Sequence, residues 1–100
     1  MRLTPETRQF IRRTLCEQFG QRATILLFGS RVDDNARGGD IDLYVEPEFD
    51  SPEAIVDARL KALAQLHERL GEQKIDLVIH RRNGPEQPIH RIARDTGVAL

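Results

Sequence analysis

Residues 26–47 read LLFGSRVDDNARGGDIDLYVEP, and the way this stretch is parsed decides the fold. An apolar run stops at Gly29-Ser30, a polar loop follows, and a second apolar run carries Asp40 and Asp42 one residue apart. Strands are depleted in Asp, so two in one strand ask for a reason. Residues i and i+2 of a strand share a face, which brings Asp40 and Asp42 together about 7 Å apart at ~3.4 Å per residue and turns Ile41 and Leu43 toward a core. Two like charges ~4 Å apart at an effective dielectric of ~20 repel by about 4 kcal/mol, a large fraction of the ~5 to 15 kcal/mol that holds a small domain together. A divalent cation reverses the sign of that term.

The flanking sequence supplies the rest of a fold. Thr4-Pro5-Glu6 offers an N-cap, a proline at the first helical position and an acid near the positive helix end. Phe10, Ile11, Leu15 and Phe19 recur at helical spacing until Gly20. Thr24 to Phe28 and Ile41 to Val45 read as short buried strands. Ser51-Pro52-Glu53 repeats the helix-start chemistry, and Val56, Leu60, Leu63, Leu66 and Leu70 mark a face expected to be core, ended by Gly71. Ile75 to His80 predicts a third strand, with Asp76, Val78 and His80 on one side and Ile75, Leu77 and Ile79 on the other. A short helical piece from Ile89 to Asp95 and an apolar tail, Val98 to Leu100, close the chain.

The connection from the second strand to the third holds a helix of about twenty residues, the usual length of a right-handed crossover between parallel strands. Parallel pairing sets both strand starts at one sheet end, so Asp76 joins Asp40 and Asp42. The first strand, antiparallel to the second, delivers Gly29 and Ser30 to that end. The expected fold is α/β: one domain over residues 1–100, a three-stranded mixed sheet flanked by two main helices.

Composition narrows the function. With 15 basic and 16 acidic residues in 100, the net charge is −1, and no basic field announces nucleic acid. Five aromatics offer few stacking platforms for single strands. No apolar run approaches the ~20 residues that span a bilayer, and no secretion signal opens the chain. A cytoplasmic setting is expected. The lone Cys16, set in a helical pattern beside Leu15, reads as a small buried hydrophobe.

Gly29 admits a ligand close to the backbone, and Ser30 is placed to cap a short turn through Arg31, Val32 and Asp33, where backbone N–H groups favour phosphate oxygens. Carboxylates on one side and a phosphate cradle on the other suit phosphoryl or nucleotidyl transfer with magnesium. A lone D-x-D is as often a polar strand edge; Gly29-Ser30 upstream and Asp76 downstream turn the balance toward chemistry. Arg31 reads equally as a phosphate contact or a surface ion pair. Gly38-Gly39 reads as turn geometry, and Arg81-Arg82 as a solvated strand end. His67, His80 and His90 lack the spacing and cysteine partners of a zinc site.

The segments LLFGSR, GDIDLYV and KIDLVI, with their intervening helices, resemble the DNA polymerase beta-like nucleotidyltransferase superfamily, in particular its minimal nucleotidyltransferase (MNT) branch. The closing PIHRIARDTGVAL resembles the end of these small proteins. The resemblance implies that Asp40, Asp42 and Asp76 hold two Mg²⁺ ions and carry catalysis, Asp76 helping to deprotonate the attacking hydroxyl. It implies that Gly29, Ser30 and Arg31 grip the triphosphate of ATP. It further implies transfer of AMP to a hydroxyl, in this branch a tyrosine of a helical HEPN-type toxin that the MNT protein neutralises as antitoxin. Two other outcomes fit the same resemblance: an antitoxin acting by binding alone, or a small-molecule adenylyltransferase of the aminoglycoside type. A homo-oligomer is compatible with all three.

Overall fold

A computed structural model describes residues 3–29, 40–71 and 73–100. Helix α1 spans Pro5–Phe19. Its first turn is held by the Thr4 hydroxyl, which accepts from the Thr7 N–H at 3.1 Å. It ends where Gly20, at φ +107°, donates to the Cys16 carbonyl. Helix α2, Pro52–Leu70, starts in the same way from Ser51 and stops at Gly71, φ +77°. Proline at each helix start loses no hydrogen bond, because the first-turn N–H groups have no partner within the helix.

Strands β1 (Thr24–Phe28) and β2 (Ile41–Glu46) pair antiparallel, and β2 pairs parallel with β3 (Ile75–Ile79). The crossover through α2 thus gives the parallel arrangement its length predicts. A short helix α3, Pro88–Thr96, leads into β4, Val98–Ala99, which pairs antiparallel with β1. The sheet order is β3-β2-β1-β4, one strand more than the sequence pattern predicts. Two residues of strand leave no periodic signal, and the pairing of β4 reaches back across the whole chain.

One sheet face carries Ile25, Leu27, Ile41, Leu43, Val45 and Leu77 against α1 and α2, forming the main core. Burying a side chain of this size fully contributes about 1.5 to 3 kcal/mol. The opposite face carries Phe28 and Tyr44, with Ala93 of α3 laid across them.

The face that α2 buries matches the expected one in Leu63, Leu66 and Leu70 and departs from it in Val56 and Leu60. Ile55, Ala58, Ala62 and Leu66 are buried, with Leu63 and Leu70 packed beside them, whereas Val56 and Leu60 are exposed. Two helical stripes were available, and the one with the smaller side chains turned inward. Ala58 and Ala62 let α2 approach its neighbours closely. Among the described residues, no helix is long and apolar enough to cross a membrane.

Candidate active site

Strand parity and register put two carboxylates side by side. Asp42 and Asp76 are direct partners across the β2–β3 ladder and lie on the sheet face that α3 covers in part. Their carboxyl groups lie within hydrogen-bonding reach of each other. The Asp42 carboxyl is pushed above its usual range by burial first, then by that contact, the charge of Asp76 and the charge of Asp40; Lys74 opposes the shift. Asp40, half-buried just ahead of β2, therefore reaches Asp42 through its field. Among the described residues, no three His, Cys, Asp or Glu side chains are arranged to hold one ion. The pair Asp42 and Asp76 is the unit that forms, with Asp40 alongside it.

Gly29 has a more local reason than ligand access. At the end of β1, with φ +76°, it faces Asp42, and a Cβ there would collide with the Asp42 carboxylate. The glycine leaves room for the acid, and its positive φ strains any other side chain. Ser30 and Arg31, the other expected phosphate contacts, lie outside the described residues.

A cleft of about 430 Å³ opens beside the two acids. Phe28 and Val78 line it from the sheet, Ile89 from α3, and Arg59 from α2. The Arg59 Nη1 donates to the Leu77 carbonyl at 2.6 Å, which carries the guanidinium past the outer strand of the sheet. Nothing in the local sequence singles out Arg59, because its placement depends on how α2 crosses β3.

A second polar cluster on this face also escaped the sequence pattern. His80 and His90 are both buried, and their rings stack at 4.2 Å with 15° between planes. His80 Nε2 lies 3.3 Å from the Gly84 carbonyl, which can only accept, so that nitrogen carries the proton and Nδ1 faces the Tyr44 hydroxyl at 3.0 Å. His90 Nδ1 accepts from the Gln87 N–H at 3.0 Å, at the start of α3. Burial and the neighbouring His80 hold the His90 ring below its ordinary pKa. The Tyr44 hydroxyl is pushed up to about 12 by burial and by the Glu46 carboxylate. The stacked pair fastens α3 to the end of β3 and so holds Ile89 at the rim of the cleft. It is packing in polar form.

The donors at the paired acids are all carboxylate oxygens, the set that suits a hard cation such as Mg²⁺, and a cation between Asp42 and Asp76 would relieve the repulsion that raises Asp42. No curated protein matches the chain. The family model "Polymerase beta, Nucleotidyltransferase" matches residues 11–98, taking in β1 to β3, the acid pair and α3. The chain belongs to the polymerase beta nucleotidyltransferase family.

Proposed function

We propose that this protein is a Mg²⁺-dependent nucleotidyltransferase that moves AMP from ATP to a hydroxyl, with a tyrosine of a HEPN-type partner polypeptide as the acceptor. The observation that carries the reading is the pairing of Asp42 with Asp76 across adjacent parallel strands, with Asp40 felt at Asp42. Asp42 and Asp76 would hold the cation, with the charge of Asp40 beside them adding to its attraction. Bound there, Mg²⁺ supplies positive charge against the phosphate oxygens.

The residues of the chain do the remaining work. Asp76 takes the proton of the acceptor hydroxyl, whose oxygen forms the new bond to the α-phosphorus as the bond to pyrophosphate breaks. Gly29 keeps the backbone clear for the Asp42 carboxylate, and Ser30 and Arg31 are assigned to the outgoing phosphates. Family membership supports nucleotidyl transfer in general. ATP, magnesium and the polypeptide acceptor are the parts proposed.

The test incubates the chain with ATP labelled in its adenine and with its co-purifying partner, with and without Mg²⁺. The expected result is label on a partner tyrosine, dependent on Mg²⁺ and reduced by about three orders of magnitude in Asp42→Asn and in Asp76→Asn. Label transfer that survives either substitution overturns the assignment.

A further inference from the structure

We infer that the open edge of β3 is the acceptor dock: an extended polypeptide segment adds there as a fifth strand and presents its hydroxyl beside Asp76. The inference rests on the transfer reading above and supplies the way in which the acceptor is held.

β3 is a terminal strand of the sheet, and among the described residues no strand pairs with its outer side. The direction of its backbone groups follows from two bonds. Lys74 accepts from the Ile41 N–H and His80 donates to the Val45 carbonyl, both at 2.9 Å, so the backbone groups of these even-numbered residues turn toward β2. Alternation turns the N–H and C=O of Ile75, Leu77 and Ile79 outward. The Leu77 carbonyl is met by Arg59. Arg59 thereby supplies a donor where the N–H of an added strand would sit. The outward N–H groups of Ile75 and Leu77 remain for pairing.

The apolar surface points to the same edge. The large hydrophobic residues that stand exposed among the described ones are Val56 at 57%, Leu60 at 64%, Ile89 at 40% and Ile92 at 52%. Val56 lies one helical turn before Arg59 on α2 and so beside it, on the side that reaches the Leu77 carbonyl. Ile89 lines the cleft with Asp42 and Asp76, and Ile92 follows it by one turn of α3. Ile89 thus stands beside β3 on the acid face, and Arg59 with Val56 next to it stands on the other. A segment with apolar side chains on both of its faces covers Ile89 on one side and Val56 on the other.

The row of side chains on the acid face makes this a dock for chemistry. Asp42 and Asp76 are level with each other in β2 and β3. A strand added ~4.8 Å further out places its own level residue next in that row, against Asp76. The charges of Asp40, Asp42 and Asp76 exclude an acidic side chain there and favour a neutral hydroxyl. A second copy of the chain fits poorly. Antiparallel self-pairing centred on Leu77 would bring the two Arg59 guanidinium groups together at the symmetry axis, with like charges facing.

The probe is the capped peptide Ac-Lys-Val-Ile-Tyr-Val-Lys-amide, compared with the same peptide N-methylated on alternate residues. Amide hydrogen exchange of the full chain is read with each. The expected result is that the unmethylated peptide slows exchange at Ile75 and Leu77 by roughly tenfold or more at saturation, and that the methylated one does not. Ile75→Pro, which removes an outward N–H and leaves the β2 ladder intact, should weaken binding by roughly three- to tenfold, and Ile75→Val should bind as the wild type does. Arg59→Ala, which frees the Leu77 carbonyl, should strengthen it. No slowing at millimolar peptide, equal slowing by the methylated peptide, or protection that instead grows with protein concentration as a dimer forms overturns the inference. Mg²⁺-dependent release of pyrophosphate from ATP with water as acceptor reports the chemistry independently. Hydrolysis without docking overturns the dock alone, and docking without hydrolysis overturns the transfer reading and leaves the β3 edge a peptide-binding surface with no acceptor role.

Discussion

The two faces of one sheet are built on different terms. Toward α1 and α2, Leu27, Leu43 and Val45 are wholly buried among other apolar side chains. Toward α3, β2 presents Asp42 and Tyr44, β3 presents Asp76 with His80 just past its end, and the cover is a helix of nine residues fastened by a histidine stack. The first face is apolar throughout, and the second sets paired acids beside a small core of Phe28, Tyr44 and Ala93. Substitution should therefore have opposite consequences on the two sides.

The sharpest contrast is between neighbours in β2. Leu43→Ala empties a site with no exposure and should lower stability by about 2 to 5 kcal/mol, read as a reduced denaturant midpoint. Asp42→Asn, one residue away, should raise stability by about 1 kcal/mol at pH 7, or roughly 4 to 8 °C in melting temperature. The sign follows from the raised Asp42 carboxyl, whose favourable contribution is complete below pH 3.8 and is lost as pH rises through its folded-state value. The gain of the variant should therefore vanish in acid. Mg²⁺ should raise the wild-type melting temperature and leave that of Asp42→Asn unchanged. A variant no more stable than wild type at pH 7 breaks the contrast between the faces.

The histidine stack sharpens it further. Because the His90 ring is held below its ordinary value of 6.5, its contribution is fully present above that pH and is lost as pH falls below 6.5. The groups facing the stack are Tyr44 and Glu46 from β2 and Glu86 and Arg94 from around α3. Thermal melts from pH 7.5 to 5 should show stability falling, with a shallower slope in His90→Gln. Equal slopes would remove His90 from the account. The smallest effect belongs to the exposed flank of α2, where Leu60→Ser should stay within about 0.5 kcal/mol of wild type, although a core reading of Leu60 would require several times more.

Much of this was legible in the sequence, for identifiable reasons. The period of two in IDLYV and IDLVI, with a helix-length crossover between them, is enough to bring Asp42 level with Asp76. Caps at Thr4 and Ser51 mark helix starts because their chemistry is local. What stayed hidden depends on distant contacts. The burial of Ala58 in preference to Leu60 is decided by how closely α2 can approach its neighbours, and β4 exists only because β1 offers it an edge. Arg59 and the stacked histidines carry no motif; each is placed by elements that meet only in the folded chain. Gly29 was legible as a glycine that had to be there, and its immediate neighbour proves to be Asp42.

The central claim is that Asp42 and Asp76 together hold a divalent cation, and substoichiometric Mn²⁺ as a paramagnetic probe for amide resonances tests it most directly. Broadening should concentrate on Gly29, Asp42 and Asp76 and their immediate neighbours in β1, β2 and β3, and disappear in the Asp42→Asn, Asp76→Asn double variant. Broadening centred elsewhere, or unchanged in that variant, contradicts the account.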